Sequence, residues 1–146
     1  MKFIKFTTIL LFLVIACNNL KAQVRHSLKS TKSHLALSIA NGKLVYTQNC
    51  ASCHQVDGHG VQNMNPPLIQ TSYVLGDKVK LITIVLNGFN EDVEINGNTY
   101  SNTMASHDFL KDQEIADVLT YIRHSFGNKA SSISAVMVKS VRATKK

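Results

Sequence analysis

Cys50-Ala51-Ser52-Cys53-His54 is the stretch on which the reading of this chain turns. Two thiols three positions apart at the end of a helix can reach the two vinyl groups along one edge of a porphyrin, and the next imidazole then points at the iron. This is the C-x-x-C-H pattern of covalent attachment of a c-type haem. A structural zinc site competes for the cysteine pair but needs two further Cys or His ligands at suitable spacing. The remaining cysteine, Cys17, lies in the leader. A redox dithiol normally follows a strand within a βαβ unit, whereas the pattern before Cys50 is helical. A structural disulfide would suit an exported chain, but two intervening residues and an immediate histidine argue against it.

Upstream, Leu37, Leu44 and Val45 fall at helical spacing with Tyr46 beside them, which predicts a helix over about 33–49 that runs into Cys50. Downstream, Asp57, Gly58, Gly60, Asn63, Asn65, Pro66 and Pro67 mark a loop. Asp77 is a candidate cap for a helix over 78–86 stopped by Asn87-Gly88. Its run Leu81, Ile82, Ile84, Val85, Leu86 would also fit a buried strand, but the cap and the stop favour the helix. Val93 and Ile95, then Asn96-Gly97, then Thr99 and Tyr100 predict a hairpin closed by a two-residue turn. Ile115, Val118, Leu119 and Ile122 form an apolar stripe over 112–126, ended by Gly127. The expected class is mostly α. In 131–146, Ile133, Val136 and Val141 have near-helical spacing, so this segment is expected either to dock as a short helix or to stay loose.

The chain has 146 residues, enough for one ordinary domain, and 45% apolar with 17% charged residues suits a packed core. The net charge of +7 is unevenly spread. Residues 1–22 and 23–33 each carry +3 and residues 129–146 carry +5, whereas 34–128 hold five basic residues against nine acidic ones. The basic character belongs to the flanks, which disfavours nucleic acid as a partner. Residues 1–22 read as a signal peptide: Lys2 and Lys5, an apolar run from Phe6 to Ala16, then a polar stretch to Ala22. That run is too short to span a bilayer. Two readings stay open: Val14-Ile15-Ala16-Cys17 resembles a lipobox, which would make Cys17 a lipid-anchored N-terminus, and cleavage after Ala22 would discard Cys17. The expected product is periplasmic or otherwise exported, touching a membrane only through such an anchor. Residues 23–33, rich in Ser, Lys and His, read as a flexible linker, 34–128 as the folded domain and 129–146 as a basic C-terminal segment.

Further residues make the likeness specific. Gly42 and Tyr46 before the motif, Pro66-x-Leu68 after it, Met104, and Val118 with Tyr121 together resemble a class I monohaem cytochrome c over about 36–128. The chain is most similar to bacterial cytochrome c domains associated with dehydrogenases. There, segments like Leu86-Asn87-Gly88 and a hairpin ending in Gly and Tyr precede a Met and a helix reading like Glu114 to Arg123. Val136 to Ala143 also resembles their short C-terminal helix.

The resemblance implies three to five helices around one covalent haem c, with a small hairpin before the distal Met. It implies thioether bonds from Cys50 and Cys53, His54 as proximal ligand with the Pro66 carbonyl fixing its ring, and Met104 as sixth ligand. Gly42 would allow the first and last helices to cross closely, with Tyr46 packing on Val118 and Tyr121. Two departures stand out. Ala105 follows Met104 where the family commonly has Pro, and Lys111 stands where a Ser usually caps the last helix, so Asp112 is expected to cap it one residue later.

Among rival ligands, His107 is the strongest; Met64 is expected to pack against haem and Met137 to fill core. His59 reads as a loop residue, His124 as a surface residue near a helix end, and His26 and His34 as linker residues. The basic tail reads as a solvated end. With both axial positions filled, the expected function is single-electron transfer to or from redox proteins, whether a dehydrogenase, another cytochrome or a terminal oxidase, rather than catalysis. The alternatives are a small haem enzyme or gas-binding protein with a displaceable sixth ligand, and an interaction module in which haem is structural.

Overall fold

The computed structural model describes residues 31–144. The leader, Cys17, His26 and Lys145–Lys146 lie outside the described residues. The chain divides into Met1–Ala36 and Leu37–Lys146. In the first unit, residues 31–36 are helical, so the expected linker does not extend over 31–33.

The elements of the second unit are α1 (37–49), α2 (Ala51–His54), α3 (Ser72–Leu75), α4 (Lys78–Asn87), strands β1 (Val93–Ile95) and β2 (Asn98–Tyr100), α5 (Asp112–His124) and α6 (Ala135–Ala143). The fold is mostly α as expected. The six helical segments among the described residues exceed the expected three to five because α2 and α3 are single turns that periodicity cannot reveal. The apolar run 81–86 is helical, not a strand. Asp77 caps α4, accepting from the Lys80 N–H at 2.7 Å, and Gly88 ends it at φ 77°. The hairpin pairs Val93 with Tyr100, and both turn residues, Asn96 and Gly97, adopt positive φ as the two-residue turn requires.

The core lies between α1, α4, α5 and α6 and is built on Tyr46, Leu86, Ile115, Leu119 and Val138. The inward face of α1 carries Gly42 and Tyr46, as the resemblance implied, but not the leucines of the apolar spacing. Leu37 and Leu44 are 60% and 65% exposed, while Ser38, Gly42, Tyr46 and Asn49 turn inward. Space explains this: a Cβ on Gly42 would stand 2.0 Å from the Asp117 carbonyl oxygen and 2.8 Å from Tyr121 Cβ. With the two backbones this close, leucine cannot occupy the crossing. Ser38 donates to the buried Asp117 carboxylate at 2.5 Å. Tyr46, Tyr121 and Phe126 close a triangle of rings with centroids 5.3–5.6 Å apart.

Helix α5 departs from expectation at its start. Its cap is Lys111, whose backbone N–H donates to the Glu114 carboxylate at 2.7 Å, and Asp112 is the first helical residue. Asp112 pairs instead with Arg142 of α6. Helix α6 docks on α5 and α4 through Val138, which is fully buried, while Val136 is 75% exposed. Of the expected stripe, Ile133 is buried and Val141 packs against the core, while Val138 takes the inward place expected of Val136. Arg142 is only 29% exposed, so the basic tail is not simply a solvated end.

Candidate haem site

Helix α1 delivers the chain into Cys50, and the single turn α2 places His54 four residues later. His54 Nδ1 lies 2.9 Å from the Pro66 carbonyl oxygen. A carbonyl can only accept, so Nδ1 carries the proton and the Nε2 lone pair is left free to bind a metal. Burial lowers the His54 pKa, opposed by the Pro66 contact and aided by nearby His107; the ring is held neutral, the form a metal needs. The loop that presents Pro66 turns tightly at Gly58 and Gly60, both at positive φ.

Both thiols are unpaired; Cys53 is exposed, and burial followed by the neighbouring Cys53 pushes the Cys50 thiol up to about 11. The disulfide reading therefore has no counterpart here. No group of three or more His, Cys, Asp or Glu suited to a metal occurs among the described residues.

Met104 lies in the segment between the hairpin and α5. Its backbone exchanges two hydrogen bonds with Phe89, at 2.9 and 2.7 Å. Cys50, Cys53, His54, Pro66 and Met104 all line one cavity of 320 Å³. Its walls are apolar: Leu68 and Val74, then Leu81 and Val85 of α4, Val93 and Ile95 of the hairpin, and Val118, Leu119 and Ile122 of α5. A flat apolar macrocycle suits such walls, and thiols, imidazole and thioether are the donors a covalent haem uses. The residues present fit the group.

His107 also lines the cavity, but its ring nitrogens face carbonyls: Nδ1 stands 2.9 Å from Ala105 O and Nε2 3.2 Å from Asn49 O. Met64 is 48% exposed and does not line the cavity, which corrects the expectation that it packs there. Met137 packs against the core. His59 is an exposed loop residue 3.2 Å from Asp57. His124 is half-buried on the last turn of α5, its Nδ1 2.9 Å from Thr120 O, and His34 is exposed in the helical stretch.

Sequence reasoning missed three ties around the site. Asn102 donates from its backbone to Met64 O and from its side chain to Asn65 Oδ1, both at 3.1 Å, joining the loop of Pro66 to that of Met104. Arg123, almost fully buried, donates to the carbonyls of Val74, Gly76 and Ser131. Arg142 grips the segment after Met104. No local pattern marks any of the three, because nearly all of the partners are distant in sequence.

The fold and this site define a class: a small α-helical electron carrier built around a covalent haem. The chain belongs to the cytochrome c family, whose profile matches residues 39–126, in keeping with its resemblance to class I monohaem members. Cytochrome c-552 of Thermus thermophilus is 37% identical over 120 residues, covering 76% of this chain and 80% of that protein. The cytochrome c subunit of a quinone-dependent alcohol dehydrogenase from Gluconobacter oxydans is 36% identical over 108 residues, covering 70% of this chain. The cytochrome c subunit of a gluconate 2-dehydrogenase from Pantoea cypripedii is 35% identical over 105 residues, covering 69%. The matches cover only 22% and 24% of those two subunits. The protein transfers electrons through covalent haem c.

Proposed function

We propose that this protein is an exported carrier of single electrons whose iron is held by His54 and Met104, exchanging electrons with a dehydrogenase or another respiratory redox protein. The observation that carries the reading is that His54, Met104 and both thiols line one apolar cavity. Haem c bound there supplies Fe(III)/Fe(II) chemistry. Cys50 and Cys53 would hold it by thioether bonds. His54 would bind through Nε2 while its Nδ1–H donates to Pro66 O. Met104 would supply a soft thioether, which favours ferrous iron and raises the potential. The apolar lining would limit the solvent reorganisation that accompanies a change of charge. Cys53, being exposed, marks the edge at which a partner can approach. A dehydrogenase as partner is supported by the names of the alcohol and gluconate dehydrogenase subunits it resembles.

Export rests on residues 1–22 as a signal peptide, with 34–128 as the cytochrome domain and 129–146 as a basic C-terminal segment whose helix α6 docks on it. No helix among the described residues is long and apolar enough to cross a membrane. The intact mass of the mature protein decides the anchor: a diacylated Cys17 supports the lipobox, and a lipid-free chain beginning at Gln23 excludes it. A redox titration followed by optical spectra tests the whole reading. One reversible one-electron wave with a high potential and a near-infrared iron–thioether band is expected. Ready binding of carbon monoxide by the ferrous protein at neutral pH would overturn it in favour of a haem protein with a displaceable ligand.

A further inference from the structure

No residue of α6 lines the cavity, yet one of its side chains holds the segment that carries Met104. We propose that Arg142 is a positioning residue for the sixth ligand, clamping residues 108–112 so that the Met104 segment stays closed; this rests on reading Met104 as that ligand. From 101 to 111 the chain has no helix or strand beyond the bridge at Met104. Its first half is tied to α4: Ser106 Oγ donates to Leu86 O at 2.7 Å and His107 N–H to Val85 O at 2.9 Å. Beyond His107 the anchorage changes. Phe109 is 68% exposed, its ring meeting that of His107 with centroids 5.7 Å apart. There the Arg142 guanidinium donates to Asp108 O at 2.8 Å, to Leu110 O at 2.7 Å and to the Asp112 carboxylate at 2.7 Å.

One planar cation thus spans five residues, from the loop to the first residue of α5. Leu110 itself lines the cavity and is buried, so the clamp sets a wall residue as well as the path back to Met104. Hydrogen bonds from a cation are the strong kind, and the planar guanidinium spreads its donors over three nitrogens, a fork that the single nitrogen of a lysine does not reproduce. Without it, the carbonyls of Asp108 and Leu110 and the Asp112 carboxylate lose their shared cationic donor where the loop passes into α5. The segment then opens more often, and with it the contact between Met104 and the iron.

The test is the rate at which imidazole, added to ferric holoprotein, abolishes the near-infrared iron–thioether band. Arg142→Met is expected to raise that rate about tenfold, a change within the range for lost charge-assisted hydrogen bonds. The band should also melt at a lower temperature than the far-ultraviolet circular dichroism. Thr120→Val is the control. Its hydroxyl exchanges hydrogen bonds with Ile133, at 3.2 and 3.1 Å, remote from the Met104 segment, so it should lower the melting temperature without speeding imidazole. Should Arg142→Met yield no folded holoprotein, Arg142→Lys is read the same way with a smaller increase. An unchanged rate, or a rise no greater than that of a Thr120→Val protein of equal melting temperature, overturns the proposal. Failure of the underlying reading looks different: the band is then missing from the unaltered protein or survives in Met104→Ala.

Discussion

The Nδ1 atom of His54 stands 2.9 Å from the carbonyl oxygen of Pro66, twelve residues further along the chain. That contact fixes both the tautomer and the plane of the imidazole, and a bend at Gly60 keeps the carbonyl in place. A Cβ on Gly60 would lie 2.2 Å from Asn65 O and 2.7 Å from Pro66 O, at a φ of +68°. Gly60→Ala is therefore expected to destabilise holoprotein by on the order of 1–3 kcal/mol. It should also raise the reduction potential, because a histidine that loses its carbonyl partner donates less to ferric iron. Denaturant melts and a redox titration check both; an unchanged potential would show that the ring is oriented by something else.

Gly42 is the corresponding contact at the helix crossing. Its Cβ would stand 2.0 Å from a backbone oxygen of α5, which cannot swing aside as a side chain could. Gly42→Ala is expected to cost about 2–3 kcal/mol, read as a lower denaturation midpoint of holoprotein. The spectrum of the folded fraction should change little, since Gly42 does not line the cavity.

Both thioether bonds require both thiols. Cys50→Ala or Cys53→Ala should sharply reduce the yield of covalent holoprotein, and expression without the export leader and maturation machinery should give apoprotein. With the cavity at its centre unfilled, that apoprotein should fold poorly. Haem staining of denaturing gels measures the first effect and circular dichroism the second. Full staining of the double alanine variant would refute the attachment.

The axial ligand is tested by a pair of substitutions. Met104→Ala should abolish the near-infrared band, admit carbon monoxide and lower the potential, because water or imidazole stabilises ferrous iron less than a thioether does. His107→Ala should keep the band, since that ring already faces the carbonyls of Asn49 and Ala105. The opposite pattern would make His107 the ligand.

Several elements were legible because their signals are local. Asp77 with Gly88, the Asn96-Gly97 turn and the stripe of α5 each act over a few residues, and the structure carries all of them. The exposure of Leu37 and Leu44 was not legible from hydrophobicity, which singles them out, whereas the close crossing at Gly42 and the inward Tyr46 came from the resemblance. The cap of α5 was misjudged for a related reason. Asp112 suits a cap by composition, but Arg142, thirty residues away, takes its carboxylate.

The sequence by itself determined the chemistry of attachment, because the spacing of Cys50, Cys53 and His54 is set by covalent reach along one turn of chain. It also determined the mostly-α class, because caps, turns and apolar periods are properties of short segments. Only the tertiary structure decided which faces are buried, how His107 and Met64 are disposed relative to the cavity, and that Arg142 is tied to the segment after Met104. Those outcomes depend on how closely two backbones approach and on which distant carbonyl a side chain meets, and neither is encoded in any window of neighbouring residues.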